Sequence, residues 1–184
     1  SVDNVLIENN EISEIGYNGI RFHTNYCTIR NNYIHDFCKV LDDGGGIYTW
    51  KGINNSYTYS NNYVLNNIVT NGIGAPEGTN SPDRSFACGI YLDSNATLCE
   101  IVGNTTYNCK GAGVFVNQAS NKNTVSGNTS YNNDNQYLIE ANVPTYLVKE
   151  NAFSENIGVA TTEKQNVFRI LSDTYDHIED FGSF

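Results

Sequence analysis

Ile101-Val102-Gly103-Asn104-Thr105-Thr106, followed by Gly113-Val114-Phe115-Val116-Asn117, is the stretch on which the fold turns. Its first half is an apolar-x-x-Asn-x-(apolar or small) pattern. Outward from it, the same pattern reads Ile7-x-x-Asn10-x-Ile12, Ile29-x-x-Asn32-x-Ile34, Tyr59-x-x-Asn62-x-Val64, Val125-x-x-Asn128-x-Ser130 and Val148-x-x-Asn151-x-Phe153. The Asn-to-Asn steps are 22, 30, 42, 24 and 23 residues. A period of this size marks a solenoid, in which residues of equal phase stack into straight rows. The second half, Gly-apolar-x-apolar-x, returns as Gly19-Ile20-Arg21-Phe22-His23, Gly46-Ile47-Tyr48-Thr49-Trp50 and Gly89-Ile90-Tyr91-Leu92-Asp93. A degenerate copy is Gln136-Tyr137-Leu138-Ile139-Glu140.

Alternation with period two, in segments rich in Ile, Val, Tyr and Thr, is the signal of half-buried strands. No stretch has helical spacing. The first pattern also fits the leucine-rich template, but Leu is scarce and the second half of each repeat is another strand. A left-handed β-helix would show six-residue periods, which are absent. The reading is an all-β, right-handed parallel β-helix of about six to seven coils in one domain spanning 1–184. Asn10, Asn32, Asn104, Asn128 and Asn151 are expected as one internal row at a tight corner, each side chain satisfying backbone and neighbouring amide groups.

With 184 residues and a formal charge of −10, the chain lacks the basic stripe that nucleic acid requires. No apolar run is long enough to span a membrane and no signal peptide is present. Entry into a repeat at Ser1, without Met, suggests a processed chain or a piece of a longer one. The five Cys show no metal spacing. Cys27 and Cys99 share an inward phase two strand spacings apart, about 9–10 Å, too far for a disulfide.

The longer steps hold insertions. One is Lys39 to Gly45; the other lies between Asn67 and Gly89, with its Gly- and Pro-rich core at Gly72–Arg84. Both lead into the Gly-apolar strand, so both rise over one face, where solenoids often bind. The segment 173–184 is acidic and breaks the repeat, as a cap or a tail.

On the Gly-apolar strand the x positions point outward. The first outward row is Arg21, Tyr48, Tyr91, Phe115 and Leu138. The second is His23, Trp50, Asp93, Asn117 and Glu140. Aromatic rings beside carboxylates and amides suit a sugar groove, since pyranose C–H faces pack on rings while hydroxyls seek polar partners. An aromatic ladder that only pads the sheet is the structural alternative. Asp93 and Glu140 lie two strands apart, about 9–10 Å, near the carboxyl separation of inverting glycosidases. Asp42-Asp43 precede three glycines, and either could pair with Asp93 as acid and base or as a Ca²⁺ ligand; a plain turn is equally consistent. His35-Asp36 reads as a solvated turn.

The Asn-x-Ile coils, Asp-Asp-Gly-Gly-Gly-Ile-Tyr-Thr-Trp (42–50) and Gly-Ile-Tyr-Leu-Asp (89–93) resemble the right-handed parallel β-helix, or pectin-lyase-like, superfamily. Within it they are most similar to β-helix glycoside hydrolases and related bacterial surface proteins of carbohydrate metabolism. The resemblance implies Asp43 and Asp93 as catalytic carboxylates. The Gly-His-Gly and Arg-Ile-Lys motifs of polygalacturonases are absent, and the outward rows offer only Arg21 toward the Arg base of a pectate lyase.

The expectation is a secreted or cell-surface glycoside hydrolase acting on a polysaccharide or oligosaccharide. Asp93, Asp43 and Glu140 are the catalytic candidates, and Trp50, Tyr48, Tyr91, Phe115, Asn117, His23 and Arg21 the substrate-binding ones. No cofactor is required, with Ca²⁺ at Asp42 and Asp43 the one metal considered. The alternative is a non-catalytic carbohydrate-binding or structural β-helix of a cell-surface or phage-tail protein.

Overall fold

The structure, a computed structural model, describes residues 3–52, 59–75, 86–141, 146–172 and 182–184. The distal part of the second insertion and most of the acidic tail segment lie outside the described residues. Three parallel sheets run the length of the molecule: sheet A with seven strands, sheets B and C with six each. The chain visits A, B and C in rotation, so neighbours within a sheet are one coil apart. Six coils are complete, and Gly182–Ser183 starts a further pass of sheet A. No helix occurs among the described residues.

The lumen is filled by stacked rows. On sheet A, Ile7, Ile29, Val64, Ile101, Val125 and Phe153 are in register. Sheet C contributes Ile20, Ile47, Ile90, Val114 and Tyr137. The glycine opening each Gly-apolar strand serves close approach. A Cβ on Gly113 would lie 2.0 Å from Ser130 Oγ, and one on Gly46 2.3 Å from Val69 Cγ1. The fifth coil replaces this glycine with Gln136. Its side chain is fully buried, donates to Asn133 O at 2.8 Å and accepts from Asn133 N at 3.1 Å.

The asparagine row exists, with changed membership. Asn10, Asn32, Asn67, Asn104, Asn128 and Asn156 form the ladder, each Nδ2 donating to the Oδ1 of the next coil at 2.9–3.0 Å. The residue before each has left-handed φ, including Gly103 at 68° and Gly127 at 62°. A single such residue turns the chain sharply from sheet A into sheet B. Asn151 is not in this row. It stands at the opposite end of its sheet A strand, in register with Asn123, whose Nδ2 donates to it at 3.0 Å. Asn62 belongs to that second corner too, aligned with Cys27 and Cys99.

The repeat copies at Asn62 and Asn151 are therefore shifted by one strand length. Asn occupies both corners of those strands, and the true copies are Val64-x-x-Asn67 and Phe153-x-x-Asn156. The ladder steps become 22, 35, 37, 24 and 28 residues. Cys27 and Cys99 are buried, unbonded and separated by Asn62. Burial pushes the Cys27 thiol up to about 11 and the Cys99 thiol to about 12.

Candidate functional site

Sheet C carries the longest strands, among them Gly44–Trp50, Ala87–Asp93 and Asn135–Ala141, all seven residues. Its register aligns Arg21, Tyr48, Tyr91, Phe115 and Leu138 in one row, which Arg169 extends. Trp50 pairs with Asp93, and Asn117 with Glu140.

The aromatic row does not form an open platform. Tyr48, Tyr91, Phe115 and Leu138, with Cys88 and Ala112, make a second apolar cluster outside the lumen, and half-buried Phe86 and Leu171 pack against it. Tyr91 stacks on Phe115 at 4.6 Å and Phe86 on Phe115 at 5.9 Å, while Tyr48 meets Tyr91 edge-on at 5.2 Å. Rings of this size gain too much from leaving water to remain bare when covering chain is at hand. Tyr48, Tyr91 and Phe115 are thus 6 %, 4 % and 1 % exposed and present little ring surface. The candidates left at the surface are Trp50, 42 % exposed, with Arg21, His23 and half-buried Asn117.

Asp93 ends its strand at the border of this cluster and is 7 % exposed. Tyr48 Oη donates to its Oδ2 at 2.8 Å. Asn117 Nδ2 at 2.8 Å and Ser94 Oγ at 3.1 Å donate to Oδ1. Burial raises the Asp93 carboxyl above its ordinary value, and these bonds, which favour the charged form, only partly oppose the rise. Asn117 Nδ2 also reaches Tyr91 Oη at 3.3 Å, while the buried Asn117 Oδ1 has no partner among the described residues.

Beside Trp50 lies a cationic corner. Arg21 Nε donates to His23 Nε2 at 3.0 Å and its guanidinium sits 5.8 Å from the Tyr48 ring centre. His23 stacks on Tyr59 at 5.3 Å, and Lys51 Nζ lies 4.2 Å from the same ring. Burial, then the charges of Arg21 and Lys51, lower the His23 pKa below its ordinary value.

The two neighbouring aspartates part company. Asp42 is buried, its Oδ1 accepting from Phe86 N at 2.7 Å; it ties the end of the second insertion to the first. Asp43 is exposed, with left-handed φ of 57°, and its carbonyl accepts from Tyr17 Oη at 2.9 Å. The charges of Asp93 and Asp43 both help raise the phenols of Tyr48 and Tyr91, after burial itself. The two carboxylates thus border the same aromatic cluster. Glu140 is 5 % exposed and stands two strands from Asp93, beyond Asn117. No group of three His, Cys, Asp or Glu able to hold a metal occurs among the described residues, and one Asp42 oxygen is taken by Phe86 N.

Sequence reasoning passed over Ser94, Lys51, Tyr59 and Tyr17. Ser94 and Lys51 directly follow Asp93 and Trp50, a signal that adjacency alone could have supplied. Tyr59 and Tyr17 come from other coils, and no local pattern marks them.

The molecule is thus a parallel β-helix with an ionisable cluster on the outside of one sheet. Residues 1–153 match the family described as the right handed beta helix region, and the chain belongs to that family. The fold is the right-handed parallel β-helix. No curated protein sequence matches the chain. Among solved structures it is similar to the A-module of mannuronan C-5 epimerase AlgE4 of Azotobacter vinelandii. The identity is 11 % and the TM-score 0.52, over 99 % of this chain and 57 % of that one. The chain spans little more than half of its neighbour, and at this identity the likeness is one of fold.

Proposed function

We propose that this β-helix is a carbohydrate-active protein, a glycoside hydrolase that works on a polysaccharide outside the cell at the Trp50 end of sheet C. The observation that carries the reading is Asp93, a buried carboxyl with a raised pKa next to an exposed Trp. A carboxyl whose pKa is raised by burial suits a general acid that gives its proton to the glycosidic oxygen. Tyr48, Asn117 and Ser94 then stabilise the carboxylate left behind. Of the candidate partner carboxylates, Asp43 is exposed but aligns with Phe86 at the opposite end of the strand that Asp93 closes, and Glu140 is enclosed two strands from Asp93. Trp50, at the surface, offers a ring face to the sugar. A fold neighbour whose name places it on mannuronan is in keeping with a polymeric substrate.

Screening soluble and insoluble glycans for reducing-end release, with Asp93→Asn in parallel, tests the reading. Release abolished by Asp93→Asn, with Trp50→Ala acting mainly through KM, is the expected result. Release by Asp93→Asn at the wild-type rate would move the chemistry elsewhere. The second reading is a non-catalytic binding module. It is favoured by one observation: both Asp93 oxygens already accept protein hydrogen bonds. Binding without release across the screen would establish it.

A further inference from the structure

The outer face of sheet B is the opposite of the outer face of sheet C. Its first outward row is Tyr33, Ile68, Thr105, Thr129 and Ile157. The second is His35, Thr70, Tyr107, Tyr131 and Val159. From the third coil to the sixth no position on either row is charged, in a chain whose net charge is −10. The strip is uncovered: Ile68 is 48 %, Tyr131 36 %, Ile157 58 % and Val159 45 % exposed. Half-buried Thr70, Thr105, Tyr107 and Thr129 lie between these groups, and exposed apolar groups gathered on one face mark an interaction site. Tyr107 and Tyr131 stack at 4.5 Å, which fixes their rings before any partner arrives.

A polar rim runs parallel to the strip. Asp36, Asn71, Asn108 and Asn132 follow the last strip residue of successive coils, and all share left-handed φ between 54° and 58°. Asn108 Nδ2 donates to Asn71 Oδ1 at 2.9 Å, and Asn132 Oδ1 accepts from Gln165 Nε2 at 3.1 Å. From the third coil the face therefore presents apolar groups, interleaved hydroxyls and the carboxamides of Asn71, Asn108 and Asn132, at a regular strand spacing of about 4.8 Å.

We propose that this face binds a neutral, hydroxyl-rich polysaccharide in extended form, as a carbohydrate surface separate from the Asp93 site. Charge selects the occupant. From the third coil to the sixth, an anionic polymer would meet an acidic protein with no cation on the strip, and a cationic one would find no carboxylate on it; Glu11, His35 and Asp36 confine charge to the first two coils. A second copy of the chain would bury Thr70, Thr105 and Thr129 against an equally apolar strip, at the cost of unpaired hydroxyls. A glycan brings donors and acceptors for them, lays C–H faces on Ile and Tyr, and reaches the amide rim with its remaining hydroxyls.

The test is depletion of the protein from solution by particles of microcrystalline cellulose, insoluble mannan and chitin, at low and high salt. Depletion by at least one, insensitive to salt because no ion pair is involved, is expected for the wild type. Ile68→Asp, and separately Tyr107→Ala with Tyr131→Ala, should weaken partitioning tenfold or more, with Trp50→Ala and Asp93→Asn still bound. Ile68 is exposed, so its variant folds without touching the stacked rings. Failure of all three particles to deplete the protein would overturn the proposal. So would binding lost in Trp50→Ala but kept in Ile68→Asp, or a dimer in sedimentation equilibrium that Ile68→Asp dissociates. Hydrolysis of soluble oligosaccharides by Ile68→Asp at the wild-type rate separates this outcome from the fate of the Asp93 reading.

Discussion

Sheets B and C are wound from the same six coils, yet one wears its outward rows bare and the other closes over them. On sheet C, Tyr91 and Phe115 are 4 % and 1 % exposed; on sheet B, Tyr33 and Tyr131 are 41 % and 36 % exposed. The difference lies in how the chain arrives. Sheet B is entered through one left-handed residue and a ladder asparagine, which leaves no chain to cover it. Sheet C receives both insertions: Asp42 in the first holds Phe86 at the end of the second, and Phe86 packs on the aromatic row together with Leu171 from the last strand of the sheet. In a solenoid the coil determines which residues align, and the insertions determine which aligned residues meet solvent. A buried carboxyl with a shifted pKa can therefore arise on sheet C, and a flat docking strip on sheet B.

The comparison can be broken most sharply at Asp93. In a glycan hydrolysis assay Asp93→Asn should lower kcat by about 10²–10⁴-fold, the usual weight of a general acid, while no single sheet B substitution changes kcat on a soluble substrate. Next, the two faces should differ in stability. Phe115→Ala removes a ring from the closed cluster and should cost about 3–5 kcal/mol in denaturant unfolding. Tyr131→Ala on the bare face should cost no more than about 1 kcal/mol. Equal costs would mean that the outer cluster of sheet C contributes no more than a surface.

A third substitution probes what both faces share. Asn104 donates to Asn128 Oδ1 and Val64 O and accepts from Asn67 N and Nδ2, all between 2.8 and 3.0 Å. Asn104→Ala should cost about 1–3 kcal/mol through stranded polar groups at the corner. A thermal midpoint unchanged by it would remove the ladder as the device that turns every coil.

The smallest effect is one of pH. Burial raises the Asp93 carboxyl above its ordinary value, so the folded state holds that proton more tightly than the unfolded chain does. Its stabilising contribution is complete below the unfolded value and is lost as pH rises through the folded one. The thermal midpoint of the wild type minus that of Asp93→Asn should therefore fall from acidic toward neutral pH. A difference that instead grows with pH would mean that the bonds from Tyr48, Asn117 and Ser94 outweigh burial.

Much of the site was legible. The outward rows from Arg21 to Leu138 and from His23 to Glu140 follow from period-two alternation plus a shared coil phase, and both are local properties. The exposure of those rows was not legible, because covering depends on where inserted chain folds back. Asp42 looked like half of a pair with Asp43 in sequence; in the structure it faces Phe86, a partner met only after a whole coil has been wound.

By itself the sequence determined the parallel β-helix, the Gly-apolar strands of sheet C and the buried, unpaired state of Cys27 and Cys99. Periodicity records which way each side chain points, and pointing in or out is settled within a few residues. The tertiary structure alone decided that Asn67 and Asn156, not Asn62 and Asn151, continue the ladder. The two corners of a sheet A strand stand five residues apart and both accept Asn, so only pairing with the neighbouring coil distinguishes them. It also decided that the rings beside Asp93 are enclosed while those of sheet B are not. Desolvation is set by every atom nearby, and most of those atoms come from other coils.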